Sequence, residues 1–430
     1  MKSLQSVRGM HDVLPRDVAA WQWLETRLTD VMDRYGFAEI RIPLIERTAL
    51  FTRAIGESTD VVEKEMYAFD DRNRESLSLR PEGTAGVVRA VLQHGLLSPP
   101  GLKVWYRGPM FRRERPQKGR QRQFHQTGVE VFGLAEPAAD AELIALGTRL
   151  WRDLGIARHV VLELNTLGDR DDRTRYRSEL VDYLRPHRDR LDDDSRRRLE
   201  TNPLRIFDSK VETTREIMAG APRLIDHVGP EARAHFDAVI AMLDEQGIAY
   251  RVNPGLVRGL DYYCRTVFEW TTEALGAQGT VCAGGRYDDL VEIQGGKSTP
   301  GIGFALGMER LLELVRAEHP DERFRRAPHA YLLGDDAVSE RLGLAEALRD
   351  AWPQLRLVTD LQGGSFKAQF RRADRSGARL ALVLGESERA AGQVSIKDLA
   401  GEHEQQRIER ARLGDWLRSF FAGDRRADAN

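Results

Sequence analysis

Residues 107–132 constrain the fold more than any other stretch. Two segments with strand-like patterning flank a loop that carries Arg107, Arg112, Arg113, Arg115, Lys118, Arg120 and Arg122 against a single acid, Glu114. Strand, charged loop and strand in succession predict a β-hairpin, and so an antiparallel pair. Seven positive charges in sixteen residues repel one another unless they are solvated or hold an anion. A hairpin can aim several guanidinium forks inward, and guanidinium matches phosphate bidentately. Taken alone, the loop fits a solvated hairpin as well as an anion site.

The second strand of the hairpin adds chemistry. Side chains alternate faces along Phe124-His125-Gln126-Thr127-Gly128-Val129-Glu130-Val131-Phe132, so Gln126, Gly128 and Glu130 share a face with Phe124. An amide and a carboxylate flanking a residue without a side chain leave floor space for a small polar ligand. Burying both without partners would cost about 1–3 kcal/mol each. Further along, Leu256-Val257-Arg258-Gly259-Leu260-Asp261-Tyr262-Tyr263 offers an anion fork beside two phenols. Gly301-Ile302-Gly303-Phe304-Ala305-Leu306-Gly307 alternates small and apolar residues, which permits close backbone approach, and Arg310 follows at a helix start. No GxGxxG follows a strand and no P-loop pattern occurs. Any nucleotide is therefore held by arginines on an antiparallel sheet.

The rest of the chain divides by rhythm. Periodicity predicts a helix over 17–35, a strand over 37–45, strands at 76–80 and 102–107, and a helix from Arg80-Pro81-Glu82-Gly83-Thr84 to Gly95. Residues 140–155 are helical, and 170–250 read as an inserted, charge-rich helical subdomain. Strand signals resume at 248–252, 264–271 and 279–284. From Pro328 strands and helices alternate, which predicts a small α/β domain with a largely parallel sheet. The polar stretch 317–327 is the linker, giving domains 1–320 and 328–430. In the second domain Lys367, Arg371 and Arg375 form a helical stripe with Arg372 beside it, after Gly363-Gly364. The stripe suits a phosphate backbone and equally a solvated face.

Composition narrows the class. The 430 residues carry 65 Lys+Arg against 67 Asp+Glu, a net charge of −2, which excludes nucleic-acid binding by global basicity. Cys264 and Cys282 form no CxxC pair, which argues against a zinc or redox-dithiol site. The first residues lack a secretory pattern, and no apolar run approaches the roughly 18 residues of a membrane span. A cytoplasmic protein is the expectation.

These elements together resemble the class II aminoacyl-tRNA synthetases. Tyr35-Gly36-Phe37 through Pro43, Phe111-Arg112-Arg113-Glu114 with Arg120 to Phe124, and Gly303 through Arg310 resemble the family's three ordered motifs. Leu256 to Tyr263 and Ala283-Gly284-Gly285-Arg286-Tyr287-Asp288 resemble two peptides particular to the histidyl branch. Arg80 to Thr84 and Arg115-Pro116-Gln117-Lys118-Gly119-Arg120 fit the same branch. Asp289 stands where family members usually carry glycine, and Ala305 replaces a common motif glycine.

The resemblance implies an α+β catalytic domain on an antiparallel sheet, a helical insertion and a C-terminal α/β anticodon-binding domain. It implies ATP-dependent ligation of L-histidine to tRNA(His) through a histidyl-adenylate, with Mg²⁺ bridging phosphate oxygens, in a homodimer. By resemblance Arg112 holds the α-phosphate, Glu114 meets the adenine amine and Phe124 stacks on the ring. Arg310, helped by Arg120, holds the γ-phosphate end. Arg258 bridges the substrate carboxylate and the α-phosphate. Glu82, Gly83, Thr84 and Gln126 surround the α-ammonium, and Glu130, Tyr262 and Tyr263 the imidazole. Lys367, Arg371, Arg372 and Arg375 face tRNA. The alternative within the resemblance is the non-catalytic regulatory subunit of ATP phosphoribosyltransferase, which binds histidine.

Overall fold

The computed structural model describes residues 4–56, 59–117, 119–258, 260–276, 279–320, 324 and 326–424. Lys118 of the charged loop and Gly259 of the Arg-Gly pair lie outside the described residues. The chain divides into two compact units, Met1–Pro320 and Asp321–Asn430.

The strands of the first unit are β1 (Ala38–Glu39), β2 (Ile45–Arg47), β3 (Tyr67–Asp70), β4 (Ser76–Leu79), β5 (Leu102–Phe111), β6 (Gln123–Phe132), β7 (Val161–Thr166), β8 (Arg251–Val252), β9 (Cys264–Thr271), β10 (Thr280–Arg286) and β11 (Gly301–Gly307). Eight of them form one sheet in the order β1-β5-β6-β11-β10-β9-β7-β8. Only its edge pairs, β1 with β5 and β7 with β8, are parallel. β2, β4 and β3 form a small antiparallel sheet.

The expected hairpin is β5–β6, in register from Leu102↔Phe132 to Phe111↔Gln123. The single strand expected over 37–45 is instead divided between the two sheets. Arg80 explains the break: its Nη1 donates to the carbonyl of Ile42 at 2.9 Å, which takes that carbonyl out of any ladder. Pro43, next in line, has no N–H to offer one. β7 was not anticipated. It pairs with β9 across the whole helical insertion, a contact that no local pattern announces.

Helix Pro15–Arg34 places Ala20, Leu24, Leu28, Val31 and Met32 on one buried stripe, as its spacing predicts. It packs with helices Pro137–Asp153 and Met308–Glu318, and Pro137–Asp153 packs in turn with Pro230–Glu245; the layer covers one face of the sheet. Asp140 and Arg286 anchor that layer, both fully buried and ion-paired. His235 adds a contact at 3.2 Å, and Arg286 also donates to the carbonyl of Leu134. Burial pushes the Asp140 carboxyl up, but His235 and Arg286 more than offset it and hold it below its usual range.

The insertion is helical as expected, through Arg170–Leu184, Asp193–Thr201, Glu212–Ala219 and Pro230–Glu245. Asp169 and Asp172 close a capping box on the first of these helices.

The second unit has β12 (Ala330–Gly334), β13 (Leu357–Thr359), β14 (Leu380–Leu384), β15 (Gln393–Asp398) and β16 (Gln406–Glu409), in the order β13-β12-β14-β15-β16. β13, β12 and β14 are parallel, while β15 and β16 join antiparallel. The sheet is thus mixed, not largely parallel. Only residues 385–392 separate β14 from β15, too few for a crossover of a dozen or more residues.

Candidate active site

The site forms on the sheet face opposite the helical layer, over β5, β6, β11, β10 and β9. Its walls carry Glu82, Thr84, Arg112, Glu114, Arg120, Phe124, Gln126, Arg258, Tyr262, Tyr263 and Arg310. One cavity therefore gathers most of the residues singled out in the sequence.

Its inner end is built from buried carboxylates and phenols. Glu82 follows β4 and points both oxygens at the start of helix Thr84–Gln93, accepting from the N–H of Thr84 at 2.7 Å and of Ala85 at 2.8 Å. This satisfies two N–H groups that a helix start leaves unpaired. The Thr84 hydroxyl donates to Glu130 at 2.6 Å. Tyr287 donates its own hydroxyl to the other oxygen of Glu130. The Tyr262 ring lies 4.7 Å from Tyr263 and 5.7 Å from Tyr287, centroid to centroid.

Glu130 is 1% exposed. Burial pushes its carboxyl up to about 8, against the pull of the Thr84 and Tyr287 hydroxyls. Burial likewise raises Glu82, despite its backbone bonds. The inner end therefore holds two desolvated acids, a place where a hydrogen-bonding cation gains most.

The floor space expected over Gly128 is occupied. Tyr106 is its cross-strand partner, and a Cβ on Gly128 would fall on the Tyr106 ring. Gly83, expected at the ligand, receives the other side of that ring. The two glycines clamp Tyr106 under the pocket, so neither leaves an open cradle.

The outer end is basic. Arg112 Nε donates to the carbonyl of Pro81 at 2.9 Å, and its guanidinium lies 5.3 Å from the centre of the Phe124 ring. Arg120 pairs with Glu114 at 2.9 Å. Arg310 donates to the carbonyls of Gly119 (3.0 Å) and Thr280 (2.7 Å). Burial lowers the affinity of Arg310 for its proton, and Arg120 and Arg112 add repulsion. Crowding of cations, Arg112 and Arg310 among them bonded to carbonyls, favours an anionic ligand. Gln126 Oε1, between the two ends, is buried with no hydrogen-bond partner among the described residues.

Arg258 joins the ends. Its Nη1 donates to Glu269 at 2.9 Å, and its guanidinium lies 5.6 Å from the Tyr263 ring centre. The Thr280 hydroxyl donates to the other Glu269 oxygen. Glu269 and Thr280 thus connect Arg258 to Arg310. Neither stood out in the sequence, and neither did Tyr106 or Tyr287. The hairpin register pairs Tyr106 with Gly128, and Tyr287 sits inside the quoted 283–288 peptide, so those two left a signal.

Asp289 adopts φ −82° and ψ −15° ahead of helix Leu290–Ile293, a conformation open to any L residue, so the missing glycine costs nothing there. In the second unit, Lys367, Arg371 and Arg375 are exposed on helix Phe366–Ser376. Arg372 is turned away from that stripe, bonding Asp360 at 2.7 and 2.9 Å.

A family model described as Histidyl-tRNA synthetase matches residues 9–311, and one described as Anticodon binding domain matches 331–420. The chain is 57% identical over 407 residues to a Histidine–tRNA ligase of Halorhodospira halophila, covering 95% of this chain and 96% of that one. It is 56% identical over 416 residues to the Histidine–tRNA ligase of Alkalilimnicola ehrlichii, covering 97% and 96%. The crystal structure of apo S. aureus histidyl-tRNA synthetase superposes with a TM-score of 0.80 at 34% identity, covering 96% of this chain and 100% of that one.

Proposed function

The chain belongs to the histidyl-tRNA synthetase family, and from that premise we propose how its own residues divide the work. The reaction is ATP-dependent ligation of L-histidine to the 3′ end of its tRNA through a histidyl-adenylate. The histidine carboxylate attacks the α-phosphorus of ATP and pyrophosphate leaves. The terminal ribose of tRNA then takes the histidyl group and AMP leaves. The nucleophile of the first step is already anionic, so positioning and neutralisation of charge carry it, with no general base.

The single observation behind the assignment of roles is the polarity of the cavity. Buried Glu82 lines one end, with Glu130 behind it against Thr84 and Tyr287, clustered arginines line the other, and Arg258 lies between them. Glu130 is placed to accept from the imidazole, with Tyr262 and Tyr263 beside it. Glu82, Thr84 and Gln126 surround the α-ammonium, with the orphaned Gln126 oxygen as acceptor. Arg258 meets the carboxylate and α-phosphate as they join, and Arg112 the α-phosphate. Phe124 and Glu114 take the adenine, and Arg310 with Arg120 the terminal phosphates. A site that pairs both ring nitrogens leaves buried groups unmatched with any other side chain, which supports discrimination of about 10⁴–10⁵ without editing.

Mg²⁺, if required, would be held chiefly by the ATP phosphates. Among the described residues the cavity offers no cluster of three ligating side chains, and Glu114 and Glu309 already bond Arg120 and His125. Mg²⁺ ordinarily binds through substrate phosphates and one or two carboxylates. When bound, Mg²⁺ would supply charge neutralisation on the phosphates, beside Arg112 and Arg310.

Exposed Leu44 and Ile45 at the start of β2, with Phe69 on β3 of the same small sheet, support a second copy docking there, and the homodimer is proposed on that ground. Buried free Cys264 and Cys282 fit a reducing compartment, and no helix among the described residues is long and apolar enough to cross a membrane; the cytoplasm is the proposed location. The regulatory alternative is not favoured. Arg112, Arg258, Arg310 and the second unit are all present, and the relatives matched over nearly the whole chain are ligases. Charging of tRNA(His) with labelled histidine tests the assignment; tRNA left uncharged by folded protein would refute it.

A further inference from the structure

We propose that the turn at Gly9 straps the ATP loop, residues 112–122, into its binding geometry, and that Gly9 is a positioning residue for ATP and not for histidine. The proposal rests on the ligase reading above and brings in a part of the chain that reading leaves idle. The loop needs a restraint, because its crowded cations repel one another and charge alone would splay it. Within itself it has one rung, from the Arg112 N–H to the Arg122 carbonyl at 3.0 Å, and a reciprocal pair of backbone bonds between Gln117 and Arg120. Two carbonyls from outside hold its two legs. Glu65 accepts from the Arg113 N–H at 2.6 Å, and Gly9 accepts from the Arg122 N–H at 2.7 Å.

The sheet shows why Gly9 is needed there. β11 runs beside β6 only as far as Gly307↔Gln126. Beyond that point other groups take the N–H donors of the β6 end. The Glu309 carboxylate takes His125 at 2.9 Å, and the Gly9 carbonyl takes Arg122, with Gln123 at the edge of reach at 3.4 Å. Gly9 is buried, with φ +85°, a left-handed conformation that an L side chain seldom adopts. A Cβ on it would lie 2.9 Å from Pro116 Cγ and 3.0 Å from Arg122 Cγ, both in the loop. Glycine is therefore what lets this backbone approach the loop so closely. The segment is fixed on its far side as well. Asp17 accepts from Arg316 at 2.9 Å, and the Trp21 ring packs edge-on against His125 at 5.1 Å. The strap thus ties the loop to the helical layer. The bonds of Glu82, Thr84 and Glu130 run among themselves and to Ala85 and Tyr287, so the histidine pocket is separable from it.

The test compares wild type with Gly9→Ala and with Leu4→Ala, a fully exposed position in the same segment. Histidine-dependent ATP–pyrophosphate exchange gives both KM values. In Gly9→Ala the KM for ATP is expected to rise about tenfold, because a loosened loop must be ordered at the expense of binding. The KM for histidine is expected to stay within about twofold, and Leu4→Ala is expected to match wild type throughout. Amide hydrogen exchange gives a second reading. Arg122 and Gln123 are expected to be protected in wild type without ATP, to lose protection in Gly9→Ala, and to regain it at saturating ATP. Helix Pro15–Arg34 is expected to keep its protection in both. An unchanged KM for ATP, or equal rises in both KM values, overturns the proposal. So does a Leu4→Ala effect as large as that of Gly9→Ala. Rapid exchange at Arg122 and Gln123 in wild type overturns it even where Gly9→Ala fails to fold. Absence of exchange and charging in wild type overturns the ligase reading instead, a separate outcome.

Discussion

Gly303 on β11 stands directly across from Glu130 on β6, and a Cβ at Gly303 would fall on the Glu130 carboxylate. The glycine spacing of 301–307 therefore serves the specificity pocket, by letting a bulky acid lie flat between two strands. Gly303→Ala is expected to push Glu130 away from Thr84 and Tyr287 and to cost about 1–3 kcal/mol in stability through overpacking. The KM for histidine is expected to rise about tenfold or more, with the KM for ATP nearly unmoved. Equal KM values for wild type and variant would show that Glu130 is not the histidine acceptor.

Burial of Glu130 makes a stability prediction with a definite sign. Its carboxyl sits at about 8 in the folded chain against an ordinary value of 4.5. The fold thus favours the protonated form. That stabilisation is complete below about pH 4.5 and is lost as pH rises towards 8. Glu130→Gln imitates the protonated acid at every pH. Its stability is expected to gain on wild type steadily from about pH 5 to pH 8, by on the order of a few kcal/mol at the top, read as a widening gap in melting temperature. Histidine discrimination is lost in the same variant. Melting curves that track each other across this range would contradict the burial argument.

Arg258 and Glu269 separate touching from positioning. Arg258→Ala is expected to reduce histidine-dependent exchange about a thousandfold or more while circular dichroism stays unchanged. Glu269→Gln keeps hydrogen-bonding capacity and removes the charge that steadies Arg258, so a smaller loss is expected, mainly in kcat. A Glu269→Gln variant as inactive as Arg258→Ala would place Glu269 in direct contact with the reactants.

The buried Asp140–Arg286 pair lies behind the sheet and serves the fold. Removing one partner strands a charge with no water. Asp140→Ala is expected to lose about 3–5 kcal/mol. The KM values of the fraction that remains folded are expected to hold, and altered KM values would mean that the pair reaches the pocket.

In the second unit, the expected stripe and its neighbour part company. Lys367→Gln/Arg371→Gln/Arg375→Gln is expected to raise the KM for tRNA and flatten its salt dependence, leaving exchange intact. Arg372→Gln breaks the bonds to buried Asp360 and is expected to lower the stability of this domain instead. The reverse pattern would move the RNA contact to Arg372.

Local pattern made some of this legible and long-range packing hid the rest. The hairpin, helix Pro15–Arg34 and the insertion follow from periodicity, because each element satisfies its backbone within itself or with its neighbour in sequence. β7 and the division of 37–45 depend on partners far along the chain, β9 and Arg80. Glu130 stood out because charge on a strand needs explaining, and the loop arginines because seven cations crowd sixteen residues. Tyr106 and Glu269 did not, since a phenol under a floor and an acid behind an arginine look like ordinary strand residues until the register is known. Gly128 misled for the same reason: its missing side chain makes room for Tyr106, not for a ligand.

ATP–pyrophosphate exchange, run with each amino acid in turn, tests the central claim most directly. Wild type is expected to exchange with histidine alone, and Arg258→Ala with none. Exchange with another amino acid, or histidine-dependent exchange surviving in Arg258→Ala, would contradict the account.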